Sequence, residues 1–182
     1  MITHTDLCVI TAKRFIDKVA LYEYKSTASS EEPDVLIFGL YGTSLYEIKT
    51  SRSDFLADSK KKCRRKYKSF SWVNIEKIND PVIKRAYVRI RQGRPELFLQ
   101  QAPHLGNKRY FVCEPDIIRV SDLPEGWGLY WYKNGKFYRK RESTQFRADL
   151  KKENALIVHA MRRYASGDDT GILINTYAEA SA

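Results

Sequence analysis

The stretch PDVLIFGLYGTSLYEIK, residues 33–49, decides the fold. It holds two runs rich in strand-forming residues, VLIF at 35–38 and LYEIK at 45–49, and Gly39 and Gly42 lie between them. Such runs joined by a short glycine-containing turn are typical of an antiparallel hairpin. Because side chains alternate along a strand, every second residue of the second run shares one face of the predicted sheet.

Helices and a strand are predicted around this hairpin. Upstream, an imperfect apolar stripe indicates a helix over residues 5–18 with Thr5 as its N-cap, followed by a first strand over residues 20–24. Downstream, Ser51 and Ser53 can cap a helix that runs to about residue 67. Its predicted inward side carries Phe55, Leu56 and Cys63.

The second half of the chain predicts further strands and a last helix. Residues 110–113 form a short apolar run that 117–120 can extend. Asn134-Gly135 is a strong hairpin signal between strands at 129–132 and 136–139, and a helix is expected over 152–164.

Together these elements predict an α/β fold, with a mixed central β-sheet flanked by helices, in a single domain over residues 1–165. Asp80-Pro81 opens a capped amphipathic helix, which we interpret as part of an insertion at about 69–108. Residues 166–182 are expected to be a flexible C-terminal tail.

Composition limits the class of protein. The chain has 182 residues, of which 43% are hydrophobic, and no apolar run approaches the ~18 residues of a membrane span. No secretory signal is visible at the start, so we expect a soluble cytoplasmic protein without membrane contacts. The scattered cysteines and histidines argue against disulfides and against a zinc site: Cys8, Cys63, Cys113, His4, His104 and His159.

Basic residues outnumber acidic ones by 32 to 22, giving a formal net charge of +10, and nucleic acid is the natural partner of such a chain. The charge is concentrated just after the hairpin. We expect phosphate contacts from Lys60, Lys61, Lys62, Arg64, Arg65, Lys66 and Lys68. The alternative is a solvated face that only aids solubility.

The hairpin also carries the residues that suggest chemistry. Asp34 begins its first strand and Glu47 lies late in the second, so the pairing can bring both carboxylates to one hard cation, magnesium or manganese. Lys49 could then polarise or position a water for phosphodiester hydrolysis. The alternative is that Glu47 and Lys49 are surface charges on a half-buried strand and Asp34 a turn residue after Pro33.

Pro33-Asp34, twelve intervening residues and Glu47-Ile48-Lys49 form a motif that resembles the PD-(D/E)XK nuclease superfamily. The longer string EIKTSRSDFLADSK at 47–60 is similar to the MmcB-like group of predicted DNA-repair nucleases within it. Residues 109–113 and 123–129 also resemble that group and related phage-encoded proteins.

This resemblance implies a restriction-endonuclease-like core, a divalent cation held by Asp34 and Glu47, and Lys49 as the catalytic lysine. Glu23 could supply the further acid that many members use, with Asp17 on the first helix as the alternative. The segment at 69–108 is longer than the group leads us to expect, which leaves substrate access open.

We therefore predict a magnesium-dependent deoxyribonuclease acting in DNA repair, recombination or phage DNA metabolism. The leading alternative is a non-catalytic DNA- or protein-binding module on a nuclease scaffold, such as a phage accessory protein, and an RNA-directed protein is the second. A homodimer and a host or phage protein partner are left open. The aromatic residues at 127 and 130–132 are expected to fill the core rather than to stack on bases.

Overall fold

The computed structural model describes residues 2–26, 32–58 and 105–175. The elements within these ranges are, in chain order, α1 (His4–Phe15), β1 (Val19–Tyr22), β2 (Val35–Gly39), β3 (Gly42–Lys49), α2 (Arg52–Asp58), β4 (Lys108–Cys113), a 3-10 turn (Val120–Asp122), β5 (Gly128–Lys133), β6 (Lys136–Arg141), α3 (Leu150–Ala165) and β7 (Ile172–Ile174).

The described strands form one seven-stranded mixed sheet in the order β6-β5-β4-β3-β2-β1-β7. β4 is parallel to both β3 and β5, and the remaining neighbours are antiparallel. The predicted α/β class with a mixed central sheet flanked by helices is confirmed. Because parallel neighbours need a crossover connection, the chain must return from the end of β3 to the start of β4, and α2 begins that return.

Helices cover both faces of the sheet. Leu7 and Cys8 of α1 belong to a buried cluster that includes Ile48 of β3. Leu156 of α3 belongs to a second buried cluster that includes Leu45 of β3. Since odd and even residues of a strand point to opposite faces, these two clusters are the two sides of one sheet.

The predicted β2–β3 hairpin is confirmed, and its register positions the charged residues. Val35 pairs with Tyr46, and Gly39 pairs with Gly42 across the turn. Gly42 has φ 128°, a conformation that favours glycine. Because Asp34 precedes Val35 and Glu47 follows Tyr46, the register brings the two acidic residues side by side.

The first helix and strand begin and end earlier than predicted. The N-cap of α1 is Thr3 rather than Thr5, since the Thr3 hydroxyl accepts a hydrogen bond from the Asp6 amide at 3.1 Å. β1 ends at Tyr22, so Glu23 lies just after the strand rather than on it, with φ 45°. The left-handed conformation at Glu23 ends the regular pairing of the strand.

Ser51 caps α2 as predicted, accepting from the Asp54 amide at 3.2 Å, whereas Ser53 lies inside the helix. Phe55 is buried as predicted, but Leu56 is 54% exposed. The next inward position is Asp58, three residues beyond Phe55, because that spacing returns to the same face of a helix. Cys63 and the predicted continuation of the helix lie outside the described residues.

Further along the chain, the predicted hairpin between β5 and β6 is confirmed, with φ 50° at Asn134 and 75° at Gly135. Residues 117–120 do not extend β4. Leu105 is fully buried and Lys108 begins β4, so 105–108 belong to the core and not to the predicted insertion. The rest of that insertion, 69–104, lies outside the described residues.

Of the aromatic residues at 127 and 130–132, Trp127 lies in the core as predicted, whereas Tyr130, Trp131 and Tyr132 are half-buried and pack against it. Trp127 is buried and stacks on Phe111, with ring centroids 4.6 Å apart. The indole N–H of Trp131 donates to the carbonyl of Ile118 at 3.1 Å. Among the described helices, none is both long and apolar enough to cross a bilayer.

The prediction of a loose tail from residue 166 is wrong for its first part. β7 pairs antiparallel with β1, placing Ile172 opposite Leu21 and Ile174 opposite Val19. The Tyr22 amide also donates to the carbonyl of Gly171 at 2.9 Å. The run is short, but β1 offers a row of backbone groups that must be hydrogen-bonded, and residues 172–174 supply the partners.

This strand supports a test of stability. Ile172 is 4% exposed and Ile174 is 36% exposed. We expect Ile172→Ala to lower the free energy of unfolding by about 2–5 kcal/mol, because it removes buried methyl groups and leaves a cavity. The matched Ile174→Ala change should cost about 1 kcal/mol or less. Denaturant unfolding measures both, and equal small effects would contradict the described position of β7.

Candidate active site

The structure brings Asp34, Glu47 and Lys49 together at one end of the β2–β3 hairpin. The Lys49 ammonium (Nζ) lies 3.4 Å from Glu47 Oε2 and 3.9 Å from Asp34 Oδ2. The three groups are therefore neither splayed apart nor directed to opposite sides of the sheet. Their convergence is the geometry that the sequence motif predicts, while their catalytic roles stay predictions.

Burial separates this cluster from ordinary surface charge. Glu47 and Lys49 are each 2% exposed, so the alternative of surface charges on a half-buried strand is wrong. Buried ions are costly unless they are paired and hydrogen-bonded. The pairing of Glu47 with Lys49 provides that compensation.

Asp34 is held by the backbone of the neighbouring strand. Its Oδ2 accepts a hydrogen bond from the Ile48 amide at 2.7 Å, which fixes the carboxylate beside β3. Burial raises the pKa of Asp34, but the hydrogen bond from His4, the charge of Lys49 and the Ile48 amide outweigh it, and the pKa lies below its ordinary value. Asp34 is therefore an anion at neutral pH.

Asp58 is a member of the cluster that the sequence prediction missed. Its Oδ1 lies 3.4 Å from Lys49 Nζ, and its side chain is 3% exposed. The sequence could have indicated Asp58 through its spacing from Phe55 along α2, because that spacing places Asp58 on the inward face of the helix. α2 thus directs a third carboxylate at the lysine of β3.

Glu23 joins the cluster through His4, the second residue that the prediction missed. His4 Nδ1 lies 3.2 Å from Glu23 Oε1, and His4 Nε2 lies 3.5 Å from Asp34 Oδ2. The alternative acid, Asp17, accepts from the Leu40 amide at 3.2 Å in the hairpin turn, at the opposite end of β2. Between the two predicted acids, only Glu23 lies near Asp34.

The pKa of His4 depends on its contacts with these two carboxylates. The hydrogen bond to Asp34 raises the pKa of His4, and Glu23 adds to it, although burial acts in the other direction. We expect Asp34→Asn to lower the pKa of His4 toward 6.5, because the anion that favours the imidazolium is gone. NMR titration measures this, with the signal assigned in His4→Gln and with Asp169→Asn as control. An unchanged pKa in Asp34→Asn would contradict the described contact.

The charges of the cluster suit a divalent cation. Among the described residues, the carboxylates of Glu23, Asp34, Glu47 and Asp58 outnumber the cationic groups of Lys49 and His4. Carboxylate oxygens are the ligands that Mg²⁺ and Mn²⁺ prefer. Asp34 and Glu47 are adjacent and offer this donor chemistry, so the residues present fit the metal that the motif implies.

The predicted DNA-binding residues Lys60, Lys61, Lys62, Arg64, Arg65 and Lys66 lie outside the described residues. Among the described residues of the cluster, three have side chains that contact solvent. Asp34 is 20% exposed, Glu23 is 35% exposed and His4 is 37% exposed. Lys49 and Asp58 lie behind them, each 3% exposed at the side chain. Among the described residues, a ligand entering from solvent would meet His4 and Glu23 before it reached Asp34.

Comparisons with known proteins add little to this geometry. No family model matches the chain, and no curated protein matches it. Among solved structures, the chain is similar to one described as the SPO1766 protein of unknown function from Silicibacter pomeroyi, at 16% identity and a TM-score of 0.45. The match covers 88% of this chain and 86% of the other.

Proposed function

We propose that this protein is a metal-dependent nuclease that hydrolyses phosphodiester bonds in DNA. The observation that carries the proposal is the buried Lys49 ammonium beside the carboxylates of Asp34 and Glu47 at the end of one hairpin. The PD-(D/E)XK motif places the same residue types at the same positions. The net charge of +10 favours a polyanionic substrate.

In this proposal Asp34 and Glu47 hold Mg²⁺ or Mn²⁺, which supplies charge neutralisation at the scissile phosphate and acidifies a bound water. Lys49 orients the attacking water and offers positive charge where the phosphorane-like transition state gains negative charge. Asp34 is ionised at neutral pH and so needs no proton transfer before it binds a cation. Glu23 and His4 form the solvent-facing side of the site.

The lysine has a second role that follows from its contacts. It forms ion pairs with Asp34, Glu47 and Asp58 at once and offsets part of the repulsion among them, which keeps the acidic side chains close together before a metal is bound. The site is thereby preorganised rather than assembled by its ligand. Preorganised charge is the main source of electrostatic catalysis.

The test is a cleavage panel. Labelled linear duplex, single-stranded, flapped and branched DNA, together with RNA, are incubated with the wild type in Mg²⁺, in Mn²⁺ and in EDTA. We expect metal-dependent cleavage of at least one DNA substrate, and none by Lys49→Ala purified in parallel. Failure of the wild type on every DNA, or equal cleavage by the variant, would contradict the proposal.

The same panel distinguishes the non-catalytic binding module. DNA binding that is indifferent to metal, without cleavage, would favour that module over the nuclease. Preferential cleavage of RNA would favour the RNA-directed alternative. Binding should also be measured at several salt concentrations. The steepness with which the affinity falls as salt rises gives the number of phosphate contacts.

A further inference from the structure

The proposed nuclease chemistry does not use Cys8, yet Cys8 lies beside His4. The two residues are one helical turn apart on α1, and Cys8 Sγ is 3.6 Å from His4 Nδ1. The same Nδ1 atom is 3.2 Å from Glu23 Oε1. One nitrogen, one sulfur and one oxygen, each able to bind a metal, lie within 4.8 Å of one another.

The distances match those between the ligands of a tetrahedral zinc ion. With Zn–N and Zn–O of about 2.0 Å and Zn–S of about 2.3 Å, tetrahedral angles place N and S about 3.5 Å apart and N and O about 3.3 Å apart. The observed separations of His4 Nδ1 from Cys8 Sγ and from Glu23 Oε1 are 3.6 and 3.2 Å. Two of the three distances between ligand atoms are therefore already close to those around a bound zinc ion.

The surroundings orient these ligands. His4 Nε2 faces Asp34 Oδ2 at 3.5 Å, and a carboxylate on the far nitrogen is the usual way in which a metal-binding histidine is held. The Thr5 hydroxyl donates to Glu23 Oε1 at 3.0 Å and holds that carboxylate against α1. Both contacts leave His4 Nδ1 directed at Cys8 and Glu23.

We propose that His4 Nδ1, Cys8 Sγ and a Glu23 oxygen form a binding site for a zinc-class divalent ion, distinct from the all-oxygen site at Asp34 and Glu47. Water completes the coordination, since His4 and Glu23 are partly exposed while Cys8 is the buried inner ligand. The sequence predicts no zinc site because the candidate ligands are far apart along the chain. In the structure, α1 packs against β1 and brings the ligands together.

Binding is accompanied by loss of protons. As the metal–sulfur bond forms, the S–H bond of Cys8 breaks and its proton leaves to solvent; a proton on His4 Nδ1 leaves in the same way. Burial raises the pKa of the Cys8 thiol, so the thiolate forms only together with the metal. His4 then links this ion to the carboxylate of Asp34.

Cobalt substitution tests the site without measuring catalysis. The full chain is stripped of metal and titrated with Co²⁺, and the thiolate-to-cobalt charge-transfer absorption is recorded, then displaced with Zn²⁺. We expect this absorption to saturate at one equivalent and to be lost in Cys8→Ala and in His4→Gln. Binding of Co²⁺ at Asp34 and Glu47 gives no such band, because no sulfur is present there.

Two controls make the result decisive. Cys113→Ala removes another buried cysteine, and Glu47→Gln removes an oxygen ligand of the proposed magnesium site; both should keep the absorption. Far-UV circular dichroism establishes that each variant is folded, and His4→Gln changes a partly exposed side chain, so it serves if Cys8→Ala does not fold. Absence of the band in folded wild type, or its persistence in folded His4→Gln, would overturn the proposal.

Discussion

Lys49→Met is expected to lower the rate of the proposed metal-dependent DNA cleavage by at least about 10²–10³-fold, because the proposal places the ammonium at the attacking water and the transition state. Met is close to Lys in size and has no charge, so the change removes the ammonium with little change in volume. Single-turnover cleavage of the best DNA substrate measures the effect. The exposed Lys136→Met is the matched control and should cleave at the wild-type rate.

The same variant has a second expected effect, on stability. Without the ammonium, the buried carboxylates of Glu47 and Asp58 lose their ion pairs with Lys49, which costs about 3–5 kcal/mol of unfolding free energy. A divalent cation can replace that charge, so Mn²⁺ should stabilise Lys49→Met more than it stabilises the wild type. Denaturant unfolding with and without Mn²⁺ measures the difference. Wild-type cleavage by the variant would exclude a catalytic role for Lys49, whatever its stability.

Asp34→Asn is expected to remove metal binding while keeping the fold. The amide oxygen of Asn can still accept the Ile48 hydrogen bond, but it lacks the charge that holds a hard cation. At a metal concentration 100 times the dissociation constant, binding stabilises the native state by about 2.7 kcal/mol, and this increment should disappear in the variant. Cleavage should be lost with it.

Thermal unfolding in a Mn²⁺ series measures this prediction. The exposed Asp169→Asn is the matched control and should keep the full metal-dependent shift. If Asp34→Asn is stabilised by Mn²⁺ as strongly as the wild type, then Asp34 is not a ligand and the proposed site is wrong. Loss of cleavage with unchanged metal binding would instead place Asp34 outside the metal site but inside the reaction.

Local patterns were enough to predict the hairpin and the meeting of its charged residues. The period of two along 45–49 and the short turn after Gly39 fix the register, and the register alone brings Asp34 next to Glu47. The three-residue motif is therefore a local feature of one β-ribbon. No distant part of the chain is needed to position it.

The contributions of α1, α2 and β7 could not be predicted in the same way. His4 reaches Asp34 only because α1 packs on the sheet, and Asp58 reaches Lys49 only because α2 packs against β3. β7 spans residues 172–174 and is too short to show a period, and its pairing with β1 joins distant parts of the chain. Such contacts depend on tertiary packing rather than on local preference.

β6 lies at one end of the described sheet order, and its exposed residues include Lys136, Arg139 and Lys140. Like charges along an outer strand repel the same strand of another molecule and so oppose sheet extension and aggregation. If two copies of this chain associate, we expect them to do so through a different surface.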